Sequence, residues 1–136
     1  MYLIFALLSA VTAALVAIFG KIGLAKVDTA LATAIRALVM AAILVITTLI
    51  LKKWDLSQID NKAYLYIFLA GVAGAASWFF YFLALKFGPA TSVAAIDRLS
   101  VVFVIIFASL FLGESLTLKS FAGGALIVAG ALLLIK

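Results

Sequence analysis

No cysteine and no histidine occur among the 136 residues, and proline occurs once, at Pro89. The missing thiols exclude disulfides and thiolate-held metals. The missing imidazoles remove the commonest metal ligand and the side chain best suited to moving protons near neutral pH. The five carboxylates are scattered, and the serines have no paired base at helical spacing. No enzyme, no metal centre and no cofactor is therefore expected.

Charge is the next scarcity. Only 11% of the residues are charged and 69% are hydrophobic, against roughly a quarter and a half in ordinary globular proteins. A chain of this size cannot clothe itself in polar groups from that stock, so lipid must replace water around most of it. The net charge of +5 does not point to nucleic acid, because the basic residues form no continuous run. Anionic lipid headgroups are the plainer partner for them.

What the sequence does have is length of uncharged chain: residues 1–20, 37–51, 63–85, 99–113 and 120–135 carry no ionisable acid or base of the Asp, Glu, Lys or Arg type. About 20 helical residues cross the hydrocarbon layer. Five spans follow, at about 3–20, 30–51, 64–85, 91–112 and 118–135. The first run is too long, and too bare of basic residues ahead of it, for a cleaved secretory leader. Backbone groups in lipid must pair within helices or a closed barrel. The runs are too long and too uniformly apolar for barrel strands. The expected fold is an all-α integral membrane protein, a bundle of five transmembrane helices forming one domain over residues 1–136.

Short connections make consecutive helices antiparallel neighbours. Gly88 and Pro89 are expected to form the turn between the third and fourth spans, glycine in a left-handed terminal turn and proline in the first turn of the next helix. Asp55 and Ser57 offer turn or cap acceptors in the longer polar link. Tyr2, Trp54 and Tyr64 lie near span ends, where amphipathic rings suit the interface. Gly71 with Ala75, and Gly123 with Gly130, mark faces where helices can approach closely, without saying whose.

Three ionised groups fall inside spans. Arg36 and Arg98 each sit roughly 10 Å along their helices, at similar depth from one face. Either guanidinium can reach back toward headgroups. The short side chain of Asp97 cannot, and it points about 100° away from Arg98, so Arg36 on a neighbouring helix is its expected partner. Two arginines against one carboxylate favour an anion or a zwitterion over a multiply charged cation. Trp78, Tyr81 and Phe82, from the SWFFYF run, are read either as an aromatic cavity lining or as plain packing against protein and lipid. Arg36, Trp78, Tyr81, Phe82, Asp97 and Arg98 are the substrate-binding or gating candidates.

Orientation is weakly written. Lys21, Lys26, Lys86, Lys136, Arg36 and Arg98 favour one side, and Lys52, Lys53, Lys62 and Lys119 the other. The excess places the C-terminus inside, yet it vanishes without the two intramembrane arginines, so insertion in both senses is compatible with the chain. Two copies inserted oppositely would assemble the paired inverted repeats from which many secondary transporters are built.

The stretches GKIGLAKVDTALATAIRA and YFLALKFGPATSVAAIDRLSVVFVIIFASLFLGESLTLKSFAGGALIVAGALLL together resemble the EamA domain of the drug/metabolite transporter superfamily. The ordered combination of FLALKFGPAT, the DRLS step, LGESLT and GGALIVAG is the specific part. Many members of that family carry two such domains and ten helices, and export metabolites or amino acids across the cell membrane. The resemblance implies a single-domain, five-helix form, equivalent to one half of such a transporter. It also implies alternating access after pairing with a second copy, in antiparallel sense, or with a second small membrane subunit. Gly113, with Glu114, resembles the family's turn before the last helix. The leading expectation is secondary transport, in the export direction, of a small polar metabolite, amino acid or organic anion across the cytoplasmic membrane. The alternative is a non-transporting subunit that regulates another membrane protein.

Overall fold

The structure is a computed structural model that describes residues 1–56 and 59–135. The described residues fold as helices α1 (Tyr2–Gly23), α2 (Thr29–Ile50), α3 (Asn61–Phe87), α4 (Ala90–Asp97), α5 (Ser100–Leu112) and α6 (Leu118–Leu134). Helices α4 and α5 make up one apolar stretch, Ala90–Leu112, long enough to cross a membrane, as are α1, α2 and α3. The 17 residues of α6 rise about 25 Å, the short end of what a crossing needs. The protein is an all-helical membrane protein of five helical spans.

Helix starts follow side-chain chemistry. Asp28 accepts from the backbone N–H groups of Ala30 (2.8 Å) and Leu31 (3.2 Å), satisfying donors that the first turn of α2 leaves open. Asp60 does the same for α3, accepting from Ala63 N–H at 2.8 Å. Asp60 is thus a cap acceptor of that link, and Ser57 lies outside the described residues. Thr117 accepts from Ser120 N–H at 3.1 Å and opens α6. Hydroxyls within the spans turn inward on their own helices: Thr12, Thr33, Thr47 and Thr48 each donate to the carbonyl four residues earlier, which hides them from hydrocarbon.

The chain divides into two compact units, residues 1–21 with 87–136 and residues 22–86. In the first, α4 and α5 pack on α6. Helix α6 meets α5 at Gly124, where an added Cβ would lie 3.6 Å from Ile105 Cδ1 and 3.8 Å from Val102 Cγ2. A Cβ on Gly123 or Gly130, the expected contact pair, would meet nothing within 4 Å inside this chain. Ser92 Oγ, on α4, donates to the Leu134 carbonyl at 2.7 Å and satisfies an acceptor at the end of α6. Because Ser92 lies near the start of α4 and Leu134 at the end of α6, the two run antiparallel. Lys21 Nζ donates to the Gly88 carbonyl at 2.8 Å, tying the end of α1 to the turn before α4.

The expected fourth span is interrupted. Arg98 (φ −66°, ψ −14°) and Leu99 (φ −62°, ψ −18°) stand between α4 and α5. Leu99 N–H bonds to Ile96 O, Val101 N–H to Arg98 O and Val102 N–H to Leu99 O, each three residues back. This is a tight 3₁₀ step in the middle of a span. Gly88 and Pro89 separate α3 from α4, but Gly88 keeps a negative φ and Pro89 precedes the first turn, with φ −68° and ψ 140°. Among described glycines the left-handed turn belongs to Gly113, at φ 69°, where α5 stops and Glu114 N–H returns to the Ala108 carbonyl.

In the second unit α2 and α3 form an antiparallel pair: Arg36, in the first half of α2, meets Trp78, in the second half of α3. Thr29, Phe82 and Leu85 are buried, whereas Leu38 and Phe80 are open to the surroundings. An outer surface as apolar as this one is suited to acyl chains.

Candidate functional site

Arg36 lies seven residues beyond the first residue of α2, about 10 Å along the helix. Its guanidinium carbon sits 3.5 Å from the centroid of the Trp78 ring and 5.5 Å from that of Phe82. Trp78 and Phe82 are one turn apart on α3, their rings edge to face at 6.1 Å and 89°. Tyr81 completes the cluster, 5.5 Å from Trp78 at 78°. Spacings of three and four residues place all three rings on one side of the helix, and the exposed Phe80 occupies the other. The cationic plane on an indole face is stabilised by the ring's quadrupole, by about 2 kcal/mol where water is excluded.

Below this cluster a cavity of about 630 Å³ opens between α2 and α3. Arg36 and Trp78 form its polar end with Thr33, and Met40, Leu44 and Gly71 line its far end. Gly71 and Ala75, expected as a close helix contact, are cavity wall, and a Cβ on Gly71 or Gly74 would meet nothing within 4 Å. Within this chain the small residues here leave space open. No cluster of acidic residues, histidines or cysteines able to hold a metal occurs among the described residues.

The mouth of α2 carries its own electrostatics. Hydrogen bonds from the Leu31 and Ala30 backbones hold the Asp28 carboxyl below its usual range, with a further contribution from Lys86. Lys86, at the end of α3, thus lies on the same side of the unit as the start of α2.

The remaining candidates lie in the other unit. Asp97 ends α4 half-buried, and Arg98 is exposed within the 3₁₀ step. The contacts that hold Arg36 inside its own unit are aromatic. Sequence reasoning named Arg36, Trp78 and Phe82 but did not join them, and it passed over Thr33, Met40 and Gly74. A signal was present: Arg36 stands 14 residues before the end of α2 and Trp78 17 residues after the start of α3, so an antiparallel pair brings them to similar depth.

The profile of the EamA-like transporter family matches residues 1–136. The chain belongs to the EamA-like transporter family. It is 46% identical over 130 residues to a Sinorhizobium protein described as an uncharacterized transporter in the cobO 3′ region, covering 95% of this chain and 92% of that one. No solved structure matches. As an EamA-like protein with long apolar helices, the chain is a multi-pass membrane transporter surrounded by lipid. Family and relative alike point to transport rather than to catalysis. Within this EamA-like chain, the α2–α3 cavity is a place where a cation inside a span adjoins space large enough for a small solute.

Proposed function

We propose that the chain exports a small polar metabolite, amino acid or organic anion across the cytoplasmic membrane by alternating access. The observation that carries this reading is Arg36, fixed on the Trp78 ring inside a span and facing a cavity of about 630 Å³. An ionisable group at that depth is costly unless it serves a pathway or finds a partner. The single domain of residues 1–136 corresponds to half of a ten-helix transporter, and two copies inserted in opposite senses complete it. The open faces of Gly123 and Gly130 suit a helix from the second copy. The C-terminus lies inside in the more frequent orientation.

Asp97 and Arg98 act as the gate. Asp97 ends α4 at a 3₁₀ step in a span and Arg98 lies within that step, and interrupted helices are where transporter spans bend. Reconstituted protein assayed against amino acids and organic anions, with and without a pH gradient, tests the proposal. Saturable flux that falls at least tenfold in Arg36→Gln supports it. Absence of saturable flux in either direction contradicts it and favours a non-transporting subunit.

A further inference from the structure

We infer that the α2–α3 cavity selects a monocarboxylate with an apolar body, rather than a zwitterion or a cation. The inference rests on the transport reading above and narrows its substrate class. It begins with the guanidinium. The contacts of Arg36 among the described residues are the ring faces of Trp78 and Phe82. Ring faces offer no oxygen acceptor, and no hydrogen bond or ion pair of Arg36 occurs among the described residues, so its N–H groups are left for an acceptor. The matching acceptor for that planar fork is a carboxylate, bound through two parallel hydrogen bonds.

The rest of the cavity says what the carboxylate is attached to. No lining residue bears a negative charge. An ammonium beside the bound carboxylate would therefore face Arg36 without a counter-charge, and the nearest indole face is already covered by the guanidinium. From Arg36 to Leu44 the lining continues for eight residues of α2, about 12 Å, opposite the bare backbone of Gly71 and Gly74. Met40, Ala41 and Leu44 offer that stretch methyl and thioether surface only. A chain or ring of a few carbons fits there, and burying it contributes favourably.

An anionic lipid headgroup with its acyl chain shares this chemistry, so the test separates the two sources. Trp78 is one of two tryptophans, the other being Trp54. In a Trp54→Phe chain, emission therefore reports Trp78 alone. The chain in zwitterionic phosphatidylcholine nanodiscs is titrated with 3-phenylpropanoate, and with its matched amide, 3-phenylpropylamine and phenylalanine. The expected result is a saturable change in Trp78 emission with the carboxylate, and binding at least tenfold weaker for the other three. Arg36→Lys weakens carboxylate binding at least tenfold, because an ammonium offers no planar fork, and Arg36→Gln abolishes it. Gly74→Leu, which fills the apolar end, weakens 3-phenylpropanoate but spares acetate.

Equal binding of the amide, the amine or phenylalanine overturns the inference, as does carboxylate binding that survives Arg36→Gln. A response to phosphatidylglycerol in the disc with none to 3-phenylpropanoate overturns it in favour of lipid. Carboxylate binding with no flux upholds it and removes the transport reading. Flux of amines or zwitterions without carboxylate binding does the reverse.

Discussion

At the scale of single residues, the polar groups inside the spans are the ones with something to lose. A hydroxyl removed from water without a partner costs about 1–3 kcal/mol. Thr33 avoids this by donating to the Thr29 carbonyl at 2.7 Å. Thr29 does not: its Oγ1 is buried and has no partner among the described residues. Thr29→Val keeps the shape and removes the orphan, and should raise stability by about 1 kcal/mol, read as a higher thermal midpoint in detergent. Ser92 is the opposite case, since its hydroxyl satisfies the Leu134 carbonyl. Ser92→Ala leaves that acceptor open and should destabilise by about 1–2 kcal/mol in the same assay. The aromatic contact of Arg36 could not be read from the sequence at this scale. Charge alone draws attention to Asp97, while the side of α2 on which Arg36 emerges delivers it to Trp78.

At the scale of elements, ends decide more than interiors. Helix α2 closes with Lys52 at φ 53°, while Lys53 N–H returns to Thr48 O. That left-handed position suits glycine, and a side chain there costs about 1–2 kcal/mol. Lys52→Gly should therefore stabilise the chain by roughly 1 kcal/mol, seen as slower thermal inactivation. At the other end of α2, the folded carboxyl of Asp28 titrates below 3.8. Its contribution is present above that value and is lost as pH falls through the lower, folded one. The wild type should thus lose more of its thermal midpoint on acidification below 3.8 than Asp28→Asn, which still caps the helix but does not titrate. An equal loss in both would remove Asp28 from the acid response.

The break between α4 and α5 was not legible, and the reason is physical. No glycine or proline marks it: the residues are Asp97, Arg98 and Leu99, all of which fit a continuous helix. The 3₁₀ step is a backbone choice among conformations these residues share with an α-helix. Gly88 misled in the other direction. Its neighbour Pro89 made a left-handed stop plausible, yet the turn is made with a negative φ.

At the scale of the whole molecule, the number and placing of the spans were legible because lipid tolerates few arrangements. Long uncharged runs must be helices, and their ends fall where Asp28, Asp60 and Thr117 supply cap acceptors. The cavity was half legible. Its charge and its rings stood out as costly or bulky residues in the wrong place, but its walls are alanines and glycines that look like ordinary helix contacts. Whether that space is a water-reachable solute site inside the membrane is the claim on which the rest depends. The absence of native cysteine allows a direct measurement with a single thiol at Ala37, which lines the cavity, and in a second chain at Leu38, which is 71% exposed and outside it. Thiol reagents of this kind need a thiolate, and so need water. In proteoliposomes treated with a membrane-impermeant maleimide, Ala37→Cys should label readily and Leu38→Cys should not. Labelling of Leu38→Cys at an equal or greater rate, or no labelling of Ala37→Cys from either side, would contradict the account.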